Sequence, residues 1–401
     1  MIKIEQMIVK NRADCTGCYA CYNVCPVQAV SMVEDNEGFR YPKVSGSSCI
    51  KCGACNRVCP VLNPPQMAEV GGKPAAYASI NDIESVRQGS SSGGIFHALA
   101  ENVLQEGGII FGAGFDDNWE VSHQSAETEE ELAALQVSKY LQSRAENVYQ
   151  RVQQELTVGR KVLFSGTPCQ CAALRNYLRR DDENLLLVDF ICHGVPSPAV
   201  WREYLAKRTC GKEIQEISFR NKKLSWESFS LAIFFKNTNK YLTNDLYTDL
   251  YLRGFLQNLY LRPSCHECHF CSQNRPTDIT LADFWGVSEE LPEAYDGKGT
   301  SLVIIHSDKG QTVFSQLKVR KWKVEFEKAV KHNPAMLSPA IPSAKREAFF
   351  RELILGRYDI MKLLYDYARP SLKVRVKFAL KKVPGVLFLV HIFRNIRQRF
   401  C

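Results

Sequence analysis

Cys15-Thr-Gly-Cys18-Tyr-Ala-Cys21-Tyr-Asn-Val-Cys25-Pro26 is followed by Cys49-Ile-Lys-Cys52-Gly-Ala-Cys55-Asn-Arg-Val-Cys59-Pro60. Both stretches repeat one spacing, C-x-x-C-x-x-C-x-x-x-C-P. Three thiolates on a tight loop hold three irons of one cubane, and the fourth lies beyond the loop, where it reaches the other cubane. This crossed pattern assigns Cys15, Cys18, Cys21 and Cys59 to one 4Fe–4S cluster. Cys49, Cys52, Cys55 and Cys25 then hold a second. Pro26 and Pro60 end each run and turn the chain back. Gly17 and Gly53 are expected to let the loop backbone approach the clusters. Zinc or a disulfide scaffold is the competing reading, but zinc takes four ligands and leaves the Cys-Pro ends without a reason.

Around this stretch the chain runs to 401 residues, enough for two or three units. Its hydrophobic content of 45% and charged content of 23% are those of a globular protein with ample core. Sixteen cysteines behind an N-terminus with no apolar h-region point to a reducing, cytoplasmic setting and to metal ligation. No apolar run is long enough to cross a bilayer. The net charge of +8 is uneven: after Asp366 there is no acidic residue, while Arg369, Lys373, Arg375, Lys377, Lys381, Lys382, Arg394, Arg397 and Arg399 follow.

In chain order, the residues before Cys15 read as a short strand. Ala29–Val33 and Gly38–Pro42 read as a hairpin between the two cysteine runs. Leu62 to Pro74 is rich in Pro and Gly and reads as a linker. A new strand opens at Ala75. Gly89-Ser-Ser-Ser-Gly-Gly-Ile-Phe-His leads small residues into an amphipathic helix, with Ser91 or Ser92 as its cap. Its free N–H groups suit a phosphate, although a plain capped helix explains the same residues equally well. His97 reads as an ordinary helix residue. Glycine-rich Gly107–Asp116 is a buried strand, and Glu127–Leu135 is an acidic, solvated helix. Lys139 and Tyr140 follow between helices; on the residues alone, Lys139 is a solvent lysine.

Two sharper stretches come next. Val162-Leu-Phe-Ser165-Gly166-Thr167-Pro-Cys169 and Leu185-Leu-Leu-Val-Asp-Phe-Ile-Cys192 are each a buried strand ending in a small-residue turn before a helix. Such strand ends are where α/β sheets bind ligands, and adjacent parallel strands would bring Cys169 beside Cys192. Cys265-His-Glu-Cys268 supplies two more thiolates on one turn, half of a metal site. With Cys169 and Cys192 it completes a third four-thiolate site, for zinc or for a cluster. Cys171, Cys210 and Cys401 read as free thiols.

These pieces together resemble the β subunit of coenzyme F-420 hydrogenases and dehydrogenases, a family that includes hydroxymethyl-chlorophyll reductases. The matching stretches are Ser91-Ser-Gly-Gly94, Ser138-Lys-Tyr140, Ser165-Gly-Thr-Pro-Cys-Gln170, Asp189-Phe-Ile-Cys-His-Gly-Val-Pro-Ser197, Phe219-Arg-Asn-Lys222, Cys265-x-x-Cys268 and Asp283-Phe-Trp-Gly286. The resemblance implies FAD and a third 4Fe–4S cluster on Cys169, Cys192, Cys265 and Cys268. Cys271 is a departure, an extra thiol that could replace Cys169. The implied flavin contacts are Ser91, Ser92, Gly93, Gly94, Lys139, Tyr140, Ser165, Gly166 and Thr167. The expected fold is α+β. A ferredoxin-like dicluster module (1–64) precedes an α/β flavin-binding domain, made of an N-terminal β-subunit region (75–155) and a C-terminal region (160–337). A helical, basic tail (338–401) follows.

Two function classes fit. One is a reductase drawing electrons from ferredoxin or a similar donor to a two-electron small-molecule acceptor, coenzyme F-420 or another. The other is a subunit that relays electrons to a partner enzyme. A flavin joins the one-electron chemistry of clusters to two-electron reduction. The tail reads either as a solvated helical cap or as a peripheral contact with anionic membrane at the inner face. Nothing resembles a nucleic-acid recognition module.

Overall fold

The computed structural model describes residues 11–65, 73–223, 225–238 and 240–369. Most of the linker, and the tail from residue 370 to residue 401, where the membrane contact and Cys401 were expected, lie outside the described residues.

The N-terminal module holds two short helices, α1 (Ala20–Val24) and α2 (Ala54–Val58), and one hairpin, β1 (Val30–Glu34) with β2 (Arg40–Val44). The hairpin is antiparallel, with Val30 opposite Val44 and Glu34 opposite Arg40. Arg12–Asp14 is a turn of 3-10 helix, and residues 1–10, where most of the strand expected before Cys15 would fall, lie outside the described residues. Asn11 caps it by accepting from the Ala13 N–H, a local bond that competes with strand pairing.

The rest is built on one sheet. Its strands are β3 (Ala75–Asn81), β4 (Ile109–Phe115), β5 (Val121–Ala126), β6 (Val162–Gly166) and β7 (Leu185–Phe190). A separate three-stranded antiparallel sheet follows, β8 (Ile214–Asn221), β9 (Ser230–Phe235) and β10 (Tyr241–Asp245). The chain then returns to the large sheet with β11 (Ile279–Asp283), β12 (Ser301–Ile305) and β13 (Val319–Val324). The eight-stranded order is β13-β3-β12-β11-β7-β6-β4-β5. β4, β6, β7 and β11 pair in parallel, while β5, β12 and β13 pair antiparallel. The expected α/β domain is thus a mixed sheet, drawing strands from both 75–155 and 160–337. Its central strands are continuous apolar runs: every residue of β12 is buried, and so are Leu185 to Asp189 of β7. Strands covered on both faces have that composition.

Helices cover both faces. One carries α3 (Glu84–Gln88), α4 (Ile95–Gln105) and α5 (Glu129–Leu135). Leu99 and Val103 of α4 share a core with Ile110, Leu163 and Val188. α5 is solvated over most of its surface, as expected, but Leu132 and Leu135 are buried in the same core. On the other face lie α6 (Val148–Thr157) and α7 (Pro168–Leu178), and onto them packs the N-terminal module. Cys18, Tyr19, Ala20 and Val58 share a core with Tyr149, Phe164 and Leu174. Tyr149 donates its hydroxyl to Cys18 O (2.7 Å), and Asn23 Nδ2 donates to Ala145 O (3.0 Å). A third core, rich in aromatics, joins Phe39 and Tyr41 of the hairpin to Trp201, Tyr204, Phe219 and Tyr251, and to Phe349 and Leu364 of the helices Arg346–Leu355 and Ile360–Ala368. The dicluster module is therefore built into the domain rather than tethered beside it. Among the described residues no helix is long and apolar enough to cross a membrane.

β3, β4, β6, β7 and β11 all point the same way, as their pairings require. Their carboxyl ends share one edge of the sheet, the edge at which such sheets bind ligands.

Candidate functional site

Cys15, Cys18, Cys21 and Cys59 line one cavity of about 360 Å³. Cys59, from the far end of the second run, faces the first run, as crossed ligation requires. Burial pushes the thiols of Cys18, Cys21 and Cys59 upward in pKa. A bare thiolate is poorly tolerated in such a site, and a bound cation would reverse that.

Cys169, Cys192, Cys265, Cys268 and Cys271 line a second cavity, of about 650 Å³. Cys169 opens α7 just past the end of β6, and Cys192 lies just past the end of β7. These strands are paired neighbours, so the expected meeting of the two thiols occurs. Cys265 sits on a 3-10 turn, Pro263–Cys265, and Val195 N–H donates to its sulfur (3.3 Å). Burial raises Cys169 to about 12 and Cys265 to about 11. Cys271, the extra thiol, faces the same cavity as the other four. Cys171 is fully buried, its Sγ near Gly166 O and Val188 O (3.8 Å each), and Cys210 is exposed.

The two cavities share a wall. Thr16 and Gly17 line both. Gln142 Nε2 donates to Thr16 O (3.0 Å) and holds this short piece of backbone between the thiol groups. Among the described residues no three Cys, His, Asp or Glu side chains converge as ligands of a single ion; the thiols ring voids instead.

The Ser91–Gly94 loop lies past the end of β3, and Asn81 N–H donates to Gly93 O (2.8 Å). Neither Ser91 nor Ser92 caps α4. The N-cap is Gly94, at φ +84°, with no side-chain cap. Ser92 Oγ donates to Thr300 O (2.9 Å), and Ser91 Oγ accepts from Ser138 N–H (2.7 Å). The first turn of α4 thus keeps its N–H groups free of side-chain caps, the feature that favours an anion. Gly93 has a different reason to be glycine: a Cβ there would strike the backbone of β3 at Ser79 O and lie 2.7 Å from Ser301 N.

Basic side chains surround the loop. Lys222 Nζ donates to Arg87 O (2.6 Å) and Ser92 O (3.3 Å). Arg220 donates to Ser91 O (3.3 Å) while paired with Asp283 (2.9 Å). Lys139 is half-buried rather than fully solvated, and among the described residues its ammonium donates to the carbonyls of Gln136 (2.7 Å) and Val137 (3.3 Å) and pairs with no carboxylate. Burial without a carboxylate lowers it to about 7. Val137 has φ +66°, a left-handed backbone that β-branched residues avoid at a cost of about 1–3 kcal/mol. This turn aims Ser138 N–H at Ser91. Tyr140 belongs to the aromatic core, its ring stacked on Phe255 at 4.8 Å.

Of the nine expected flavin contacts, Tyr140 lies in the aromatic core and the other eight fall in two places. Ser91, Ser92, Gly93 and Gly94 lie with Lys139 beside the end of β3. Ser165, Gly166 and Thr167 end β6, where Thr167 lines the five-thiol cavity and its hydroxyl lies 3.1 Å from Cys169 Sγ. Four strand steps of about 4.8 Å, roughly 19 Å, separate the two ends. Sequence reasoning missed Lys222 and Arg220 as members of the basic loop, although both stand in the Phe219–Lys222 stretch.

Residues 14–63 match the family model of the 4Fe-4S dicluster domain. Residues 159–331 match the model that describes the C terminus of the beta subunit in coenzyme F420 hydrogenase/dehydrogenase. No curated protein matches the chain at a significant level. Among solved structures, a chain of the F420-reducing NiFe hydrogenase complex from Methanosarcina barkeri is similar, with 17% identity and a TM-score of 0.43 over 73% of this chain and 91% of that one. Two stretches of the chain thus match family models, first that of a 4Fe–4S dicluster domain and then that of the C terminus of the coenzyme F420 hydrogenase/dehydrogenase beta subunit.

Proposed function

We propose that this chain is an iron–sulfur flavoprotein oxidoreductase. Cys15, Cys18, Cys21 and Cys59 would hold one 4Fe–4S cluster, Cys25, Cys49, Cys52 and Cys55 a second, and four of the five thiols around the 650 Å³ cavity a third. The Ser91–Gly94 loop with Lys139 would hold the phosphates of FAD, and the Ser165–Thr167 turn would face its other end. When bound, the clusters supply one-electron transfer and the flavin pairs two electrons for a small-molecule acceptor.

The observation that carries this reading is the shared wall. Thr16 and Gly17 put the first cysteine run and the five-thiol cavity back to back. Rings of thiols around voids suit a cluster better than a single zinc ion, which needs four donors at one point. Lys139 supplies a half-buried positive charge with no carboxylate partner among the described residues, a partner for phosphate.

The charge around the second run supports a docking place for the donor. Cys52, Lys51 and Arg57 are exposed, and no acidic residue lies between Glu37 and Glu69. A ferredoxin or similar donor with an acidic face would meet the protein here. The buried first run faces inward. The aromatic core behind Tyr140 excludes water from the middle of the domain.

Anaerobic protein should contain about twelve irons for three cubanes, matching sulfide, and FAD. Addition of reduced ferredoxin should reduce a two-electron acceptor catalytically. A relay subunit would carry the same cofactors and show no turnover without its partner enzyme. Flavin retention should weaken as pH rises from about 7 to about 9: with its pKa lowered to about 7, Lys139 loses its charge there and with it the phosphate pair. Lys139→Met should remove that pH dependence, read as flavin fluorescence released into filtrate. A pH-independent wild type would place the phosphates elsewhere.

A further inference from the structure

Four arginines are buried within the described residues: Arg87, Arg220, Arg262 and Arg275. Three of them pair with a carboxylate, Asp296, Asp283 and Asp189 respectively. Arg262, fully buried at 0% exposure, has none among the described residues. Its Nε donates to Cys15 O (2.7 Å), its Nη1 to Gln142 Oε1 (3.1 Å) and its Nη2 to Arg40 O (2.9 Å). Those three acceptors are neutral. Among its hydrogen-bond acceptors in the described residues, the Cys15 sulfur, 3.6 Å from Nη2, is the one that can carry negative charge; the Tyr41 phenol and the Cys265 thiol, the other ionisable groups that act on it, are neutral at ordinary pH, their pKa values raised by burial. The guanidinium plane lies over Tyr41, 4.3 Å from the ring centroid.

Guanidinium stays protonated in proteins, and a buried charge without a counter-charge is strongly unfavourable. The described carboxylates do not supply one. A thiolate-ligated cubane would: its net charge is negative, and each electron added makes it more so. The location fits. Arg262 touches the first cysteine run, and Ser264 and Cys265, just beyond it in the chain, line the five-thiol cavity. Gly17 leaves the room, because a Cβ there would lie 2.9 Å from Arg262 Nη1.

We propose that Arg262 is the built-in counter-charge of the Cys15/Cys18/Cys21/Cys59 site, a positioning residue that raises the reduction potential of the cluster held there. This rests on the cluster reading of that site. Cluster potentials respond to net charge, hydrogen bonds to sulfur and exposure. A fixed cation in a dry setting is weakly screened, so it favours the form carrying one more electron. No bond forms or breaks; one electron arrives from the donor and stays on iron.

The test is a redox titration with dithionite of the full-length holoprotein, followed by electron paramagnetic resonance, with iron and sulfide measured on each sample. In Arg262→Met one midpoint should fall by ~59 mV or more, a tenfold change in the one-electron equilibrium. Arg262→Lys should stay closer to wild type. Full iron with every midpoint unmoved in Arg262→Met would overturn the proposal and leave Arg262 a packing residue. If Arg262→Met does not hold iron, Arg262→Gln, neutral and able to donate to Cys15 O, replaces it. A lowered midpoint in Arg262→Gln, or iron held by Arg262→Lys and lost from Arg262→Gln, supports a charge requirement. An unmoved midpoint in Arg262→Gln, or loss of iron from both it and Arg262→Lys, means that shape and not charge matters, and the proposal fails. Wild type without acid-labile sulfide would overturn the cluster reading itself, a result distinct from full clusters with an unmoved midpoint.

Discussion

The two cysteine runs share one spacing and differ in almost everything around it. Cys15 and Cys18 are buried, whereas Cys52 is exposed and its neighbour Ile50 is 61% exposed. Each loop needs two left-handed residues at the same places. In the first they are Gly17 (φ +66°) and Tyr19 (φ +66°); in the second, Lys51 (φ +54°) and Gly53 (φ +71°). Gly17 and Gly53 are thus not equivalent, although both were expected to serve the cluster alike. Gly17 is glycine because Gln142 and Arg262 occupy the space of its Cβ, at 2.6 and 2.9 Å. Lys51, at the matching place, is exposed and can carry a side chain. Backbone conformation follows from the cysteine spacing, but the identity of the residue that adopts it follows from what packs outside the loop.

The sharpest way to break this comparison is to cross it. Cys59→Ser should cost about four irons, those of the first run, because Cys59 lines the cavity of Cys15, Cys18 and Cys21. Cys25→Ser should instead damage the second run. Loss of the second-run signal in Cys59→Ser would undo the crossed assignment.

Smaller, but still large, is the expected effect of a methyl group. Gly17→Ala adds about 1–2 kcal/mol of left-handed strain and about 1–3 kcal/mol of overpacking against Gln142 and Arg262. Lys51→Ala should stay within about 0.5 kcal/mol. Thermal melts of the anaerobic holoproteins would show a lower midpoint for the first and little change for the second. Equal shifts would mean that the two loops are packed alike.

The smallest effect belongs to the surface. Lys51→Glu together with Arg57→Glu should slow reduction by an acidic ferredoxin several-fold at low salt, with the difference shrinking at high salt. Iron content should not change. A rate indifferent to both substitutions would move donor docking away from the second run.

Much of this molecule was legible because some signals are local. The hairpin between the runs, the buried strands at Val162 and Leu185, and the thiols at their ends all appear where the residues indicate. Other signals misled for a physical reason. Serines near a helix start suggested a cap, but Ser91 and Ser92 bond to Ser138 and Thr300, residues distant in sequence. Lys139 looked like a solvent lysine because no short-range pattern reports enclosure. In acidic Glu127–Leu135 the burial of Leu132 and Leu135 was hidden because two leucines are few among its charges.

By itself the sequence determined the cysteine spacing, hence the two loops with their left-handed positions, since those depend on a few adjacent backbone dihedrals, and from it came the expectation that Cys59 and Cys25 cross to the opposite run. It also determined which strands run apolar throughout and end in small residues. Only the tertiary structure decided that five thiols face one cavity, that Thr16 and Gly17 separate it from the first run, and that Arg262 lies against Cys15, 247 residues away in the chain, with no carboxylate partner among the described residues. Burial and charge balance are sums over distant segments, and no local spacing encodes them.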